Sequence, residues 1–420
     1  MRAWLAALVC LLLACSAPPE GGPVELEFWT QSLHPAYDEY LEGLFDRFEA
    51  EHPGVRIHWV DLPQKVTPQK LMATIAGGVS PDLVNLNTEM ALALAQNEAL
   101  VDLEPLLTPG QREAFFPGLW EATRLGDAVY AVPWYVSTRV LMYNKNLFRE
   151  AGLDPESPPR SWEQVEQVAR AVRQRTDAFG YMPPIKLVDD WSMFGVPVVE
   201  GGRAVFDRPE AVQRLEWYVR LYADGVIPRE TLTEGYNGAI ERFKGGSLAI
   251  LEAGPQFLLK VKSDAPQVYA VTGVAPYPRA PTDTLPAATM DLAIPRPSRH
   301  RQLALELALF VTSPENQLAF CRQAPILPTS RAAARDPFFQ QGVGEDPLLD
   351  QAVRISIEQL ERARDFSLGL PHQQDLNRAL KEALEAAMYG RSTPREALRN
   401  AALRWNGILG AGKVQASLTR

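Results

Sequence analysis

The chain has 420 residues, more than one ordinary hydrophobic core accommodates, so two lobes are expected. Its 42 basic residues stand against 51 acidic ones, a formal net charge of −9, which argues against nucleic acid or an anionic membrane surface as a general partner. The cysteines at 10, 15 and 321 give no CxxC or His/Cys metal spacing, so neither a metal nor another cofactor is expected.

The first residues carry an address. Arg2 precedes an apolar run, Ala3 to Ala14, too short to span a bilayer as a helix and suited to a signal peptide over residues 1–14. Leu12-Leu13-Ala14-Cys15 resembles the bacterial lipobox, which would make Cys15 the lipid attachment point; ordinary secretion with cleavage elsewhere is the alternative. Residues 15–23, with the run SAPPEGGP, read as a flexible Pro/Gly/Ser tether. Losing Cys10 with the signal and acylating Cys15 leaves Cys321 alone, so no disulfide is expected in the mature chain.

Val24 to Thr30 alternates as a strand. Tyr37, Tyr40, Leu41, Leu44, Phe45 and Phe48 share one helical face, His52-Pro53-Gly54 stops it, and Val55 to Val60 returns as a strand. A helix over Thr67 to Ala76 ends at Gly77-Gly78, Asp82 to Leu86 is an apolar strand, and Thr88 caps a helix to about Asn97. The order β-α-β-α-β implies a parallel sheet with right-handed crossovers, where ligands collect beyond the carboxyl ends of the strands. Those ends place Trp29, Thr30, Asn85, Asn87 and Glu89 as candidate site residues; the plainer reading makes them loop and cap residues.

The stretch Gly126 to Leu153 reads as an extended run to Pro133, an aromatic corner at Trp134-Tyr135, a second extended run to Tyr143 and a helix from about Lys145. Proline cannot donate to a sheet ladder, so the corner marks either a kinked strand with core aromatics or a crossing between lobes. Ser161-Trp162-Glu163-Gln164 is a capping box. Asp189-Asp190-Trp191 shows no helical period, and a tryptophan beside acids suits a cleft wall. Asp207 to Glu210 opens a long helix, Asn237 to Lys244 is a short one, and Leu248 to Glu252 is an apolar strand ending at Gln256. Strands at Tyr269 to Val274 and Ala287 to Ile294 bracket a Pro-rich loop. Helices follow from Leu303 and from Ser313-Pro314, Ile326 to Ser330 is extended, and Thr393-Pro394-Arg395-Glu396 caps the last helix.

These signatures resemble, in content and order, the sugar-type extracellular solute-binding proteins of bacterial ABC importers. The matching pieces are GGVSPDLVNLN at 77–87, YAVPWYVSTRVLMYNKNLFREAGLD at 130–154, FKGGSLAILEAGPQ at 243–256, AIPRPSRHRQLALELALFVTSPENQLAF at 293–320, ILPTSRAA at 326–333 and TPREAL at 393–398. The resemblance implies an α/β, two-lobe periplasmic-binding-protein-like fold, each lobe a mainly parallel sheet flanked by helices. The lobes would be residues 24–131 with 270–326 and residues 136–266 with 331–420, joined by crossings at 131–136, 266–269 and 326–330. It implies a monomer that grips a sugar or oligosaccharide between its lobes and hands it to the permease subunits and their ATPase, held outside the cytoplasm by its lipid anchor. Closure of such a cleft works to the extent that ligand prefers the closed form.

Within that frame Trp29, Trp134, Tyr135 and Trp191 are expected as platforms for sugar rings. Asn87, Glu89, Arg139, Asp190, Glu252 and Asp291 are expected as hydroxyl partners, with Thr30, Asn85, Asn237, Gln256 and His372 around them. Arg139 has an equal claim to an internal carboxylate. Gln256 stands where the family usually has tryptophan, and Met290-Asp291 where paired glycines are common, so a sugar phosphate, polyol or other small polar solute is the second expectation. An exported glycoside hydrolase would need two spaced carboxylates, and no spacing among Glu252, Asp190 and Asp291 singles out a pair. The run Gly407 to Lys413 fits GxxxxGK but has Val414 where Ser or Thr would hold magnesium, and is read as a coincidence. A receptor serving a sensor rather than a transporter would have the same chain.

Overall fold

The computed structural model describes residues 23–342 and 346–418, with helix position alone for 411–418. The expected signal peptide, Cys15 and all of the tether but Pro23 lie outside the described residues. The strands that build the lobes are β1 (Val24–Gln31), β2 (Val55–Leu62), β3 (Leu83–Asn87), β4 (Val132–Thr138), β5 (Val140–Asn144), β6 (Phe179–Tyr181), β7 (Leu248–Ala253), β8 (Thr272–Ala275), β9 (Leu285–Ala293), β10 (Leu327–Pro328) and β11 (Ala363–Arg364). The helices used below are α1 (Asp38–Glu51), α2 (Thr67–Ala76), α3 (Thr88–Gln96), α4 (Leu187–Met193), α5 (Pro209–Ala223), α6 (Gln373–Met388) and α7 (Pro394–Leu418).

The first sheet runs β10-β4-β9-β3-β1-β2, with β11 paired to β9. β1 is parallel to β2 and to β3, as the alternation of strand and helix required, and β9 lies antiparallel between β3 and β4. The α1 face at Tyr40, Leu41, Leu44, Phe45 and Phe48 is buried on one side of this sheet, and Leu71 of α2 with Ala91, Leu94 and Ala95 of α3 covers the other. The second sheet runs β8-β5-β7-β6 and is mostly antiparallel. Its core takes in α5, α6 and α7. The fold is therefore the two-lobe periplasmic-binding-protein fold with mixed sheets, because the strands joining the lobes go out and come back.

Strand pairing moves the crossings. β4 stays in the first sheet as far as Thr138, so the first passage is at Arg139, between β4 and β5, rather than at 131–136. Residues 266–269 form a helical turn, and β8 pairs with β5 in the second sheet, so the second passage lies between Ala275 and Leu285. β11 then returns to the first sheet beyond the expected boundary at 331, and residues 365–372 lead from it to α6. Buried apolar residues of both sheets, Val136 and Leu327 with Met142 and Leu251, pack together beside these passages. The GxxxxGK run lies inside the continuous helix α7, where no loop exists to cradle a phosphate.

Candidate functional site

A cavity of about 480 Å³ opens between the lobes. The first lobe contributes the Asn87-Thr88-Glu89 turn and Ala287 to Thr289 of β9; the second contributes Lys186 to Asp189 and the first turns of α6. The strap from Asp365 to Leu368 closes one side. Each wall has a local cause. Asn87 Oδ1 accepts from the Met90 amide at 2.8 Å and starts α3, so the helix cap is Asn87 rather than Thr88. Thr88 lies inside the helix and donates to Asp291 Oδ2 at 2.8 Å. The strap is held by Asp365, whose carboxylate accepts from the Thr289 amide at 3.1 Å and the Ser367 hydroxyl at 2.7 Å. Gly369, at φ 56°, accepts on its carbonyl from Gln96 Nε2 at 2.5 Å, and a Cβ there would stand 3.1 Å from Leu92.

The cavity mixes apolar and polar lining and holds polar groups without protein partners. Thr289 is 1 % exposed and its hydroxyl has no partner. Asp189 lines the cavity and accepts no hydrogen bond from the described residues. Burial pushes its carboxyl above the usual range, Lys186 and Arg139 pull it down, and Asp365 and Asp190 push it up. Glu89 accepts from Asn377 across the mouth at 3.4 Å. Lys186 and Lys381 add positive charge, and Phe366 is the one aromatic lining residue among those described.

Of the residues expected from sequence, the structure brings Asn87 and Glu89 to this cavity. The platforms are elsewhere. Trp134 is fully buried in the first lobe, its ring stacked on Phe320 at 5.4 Å, so the aromatic corner is core and offers no ring face to a cleft. Tyr135 packs edge-on against Trp134 and Phe320. Trp29 is buried in the α2/α3 face under Lys70 Nζ, 4.9 Å from its ring. Trp191 is fully buried and stacked on Phe206 at 5.0 Å. The stretch around it is α4, whose Leu187, Asp190 and Trp191 point inward together. That register turns Lys186 and Asp189 to the cavity instead. Period-three-and-four spacing at Leu187, Asp190 and Trp191 was the signal that would have found them.

The expected hydroxyl partners are mostly spent on the protein itself. Asp190 takes Arg214 in two contacts, at 2.9 and 2.8 Å, and the Tyr218 hydroxyl at 2.9 Å. Such pairing lets an acid be buried, which is why the sequence argument for a wet Asp190-Trp191 fails. Glu252 is 3 % exposed and accepts from Arg139 at 3.3 Å, from the Tyr277 hydroxyl at 2.8 Å and from the Tyr181 hydroxyl. Arg139 thus takes the internal carboxylate. Burial opposes its charge, but Tyr277 and Glu252 outweigh that and keep it firmly protonated.

Asp291 is wholly buried in β9, and burial holds its carboxyl well above the usual range against the Thr88 hydrogen bond. Asn85 is buried and donates to the Asp291 carbonyl at 3.2 Å. Thr30 is buried between Asp61 and Trp59, at 2.6 and 2.7 Å. Gln256 reaches Ser137 beside the first passage at 3.4 Å. Asn237 lies on an exposed helix face with Glu234 and Glu241, away from the cavity, and His372 is exposed at the start of α6. None of the three acids weighed as a hydrolase pair faces the cavity. Among the described residues no three His, Cys, Asp or Glu side chains cluster to hold a metal ion, and no helix is long and apolar enough to cross a membrane.

The profile of bacterial extracellular solute-binding proteins matches residues 32–318. The chain belongs to that family. The family is one of binding proteins, not enzymes. A candidate oligosaccharide periplasmic-binding protein from Synechococcus sp. MITs9220 superposes with a TM-score of 0.82 at 33 % identity, over 92 % of this chain and 99 % of that one. The sugar-binding protein MalE of Xanthomonas citri shares the fold, with a TM-score of 0.78 at 22 % identity over 94 % and 99 % of the two chains. The sn-glycerol-3-phosphate-binding periplasmic protein UgpB of Escherichia coli (strain K12) is 24 % identical over 412 residues, 91 % of this chain and 92 % of its own.

Proposed function

We propose that this solute-binding protein captures a sugar or oligosaccharide between its lobes and delivers it to the permease of an ABC importer, working as a monomer tethered outside the cytoplasm through Cys15. The observation that carries the reading is the interlobe cavity itself. Both lobes and the strap wall it, the buried Thr289 hydroxyl has no protein partner, and the partly exposed Asp189 carboxylate lines it as well. Buried polar atoms left unmatched cost about 1–3 kcal/mol each, so a ligand rich in hydroxyl groups that satisfies them is strongly preferred over one that cannot. Asn87, Glu89, Asp189 and Thr289 are the contacts assigned to it.

A second reading has its own support. Lys186 and Lys381 on the wall can meet a phosphate alongside Glu89, Asp189 and Asp365, and with no Trp or Tyr among the described lining residues a sugar phosphate or polyol lacks nothing in stacking. The UgpB relative bears a name of that kind. A thermal-shift screen of mono- and oligosaccharides, polyols and sugar phosphates separates the two, since a ligand at a hundred times its Kd adds about 2.7 kcal/mol. Stabilisation by neutral sugars supports the first reading and by phosphorylated ones alone the second. Turnover of a glycoside, or no response to any carbohydrate, defeats both. Release of the protein from membranes by Cys15→Ser tests the tether.

A further inference from the structure

Glu252 sits at the end of β7, where its carboxylate collects hydrogen bonds from three separate parts of the chain. Arg139 is the single residue between β4 of the first sheet and β5 of the second. Tyr277 opens the second passage, from β8 to β9. Tyr181 belongs to β6, the edge of the second sheet. One buried carboxylate therefore ties both of these passages to the second lobe. The same guanidinium lines a small cleft together with Glu252, Tyr277 and a second acid, Asp189, and Asp189 also lines the ligand cavity. Arg139 thus stands between the cavity and the carboxylate that anchors the passages.

We propose that Glu252 is the positioning residue of the hinge, fixing the rest angle between the lobes by holding Arg139 and Tyr277 together. The inference rests on the reading of a closing cleft. It makes the backbone at Thr138-Arg139 and the segment after Tyr277 the places where lobe rotation is absorbed, with the carboxylate cluster moving as part of the second lobe. A ligand contact at Asp189 weakens or strengthens the hold on Arg139 and so reports to both passages at once.

The molecule supplies its own control. Asp190 is an equally buried carboxylate with an arginine and a tyrosine beside the same small cleft, but Arg214 and Tyr218 both lie on α5 and hydrogen-bond Asp190 rather than a passage residue. Spin labels at Glu42→Cys on α1 and Arg399→Cys on α7, both exposed positions on opposite lobes, read the interlobe distance by pulsed dipolar spectroscopy in the full-length protein without ligand. Glu252→Gln and Tyr277→Phe each broaden the distance distribution, while Asp190→Asn loses stability and leaves the distribution as in the wild type. Tyr277→Phe keeps the ring packing, so it decides the matter if Glu252→Gln does not fold. A wild-type distribution in Tyr277→Phe overturns the proposal, as does equal broadening in Asp190→Asn. Because no ligand is present, neither result depends on which solute the cavity takes.

Discussion

Glu252 and Asp190 make the same kind of cluster for different ends. Each is a carboxylate 3 % exposed, each holds an arginine and at least one tyrosine hydroxyl, and each is satisfied enough to be buried. The Asp190 partners come from one neighbouring helix, α5, so the cluster fastens α4 to its own lobe. The Glu252 partners come from two of the passages and an edge strand, so the proposed role of the cluster is to fasten these separate segments together. Chemistry alone does not assign a role to a buried acid. The elements that bring its partners do.

The comparison extends to the aromatics, where the largest effect is expected. Trp134 lies in the first-lobe core, and truncating a buried tryptophan costs about 3–5 kcal/mol. Trp134→Ala should therefore lose that much in urea unfolding, and Trp134→Phe should leave ligand affinity unchanged. A tenfold affinity loss in Trp134→Phe with unchanged stability would restore the ring to the ligand site and break the distinction between core and cleft aromatics. Next comes Asp190→Asn, which strips the counter-charge from a guanidinium only 12 % exposed. Breaking such a pair costs about 3–5 kcal/mol, and denaturant midpoints should fall accordingly with no change in binding. Asp189, one residue earlier, should behave in the opposite way. Asp189→Asn should weaken binding of the screen's best ligand about tenfold, a loss of about 1.4 kcal/mol, and leave the unfolding midpoint where it was. If the two substitutions exchange their effects, the register assigned to α4 is wrong.

That register shows how far the sequence could be read. The alternating βαβαβ start, the helix faces and the caps at Ser161 and Thr393 were legible because each depends on residues within one or two turns. The family was legible from motif order. The cavity was only partly so. Asn87 and Glu89 follow a strand end, a local signal, whereas Thr289 meets Asp365 across 76 positions and Asn377 meets Glu89 across 288. Arg139 and Glu252, 113 positions apart, carry no mark of each other in the chain. The aromatics misled for a physical reason: tryptophan beside proline or acids looks too awkward to bury, and the structure buries it by stacking on Phe320 and Phe206 and by pairing the acid with Arg214.

The smallest effect at any one pH step concerns Asp291, a buried acid with no arginine partner. Asp291 takes one hydrogen bond from Thr88, its Oδ1 has no partner, and Asp365 is the charged neighbour that adds to the cost of ionising it. Its pKa in the folded chain therefore lies well above the unfolded value of about 3.9. Between those two pH values the folded chain keeps the proton and the unfolded chain has lost it, so the contribution to stability is complete below about pH 4 and falls as pH rises toward the folded pKa. Asparagine keeps an acceptor for Thr88 and does not titrate. Asp291→Asn should thus gain on the wild type as pH rises, by at most about 1.4 kcal/mol per pH unit. Urea unfolding of both proteins from pH 4 to pH 8 measures this directly. A stability difference that stays flat across that range would mean that Asp291 is ionised in the folded protein and has found a cationic partner, which would place it with Glu252 and Asp190 after all.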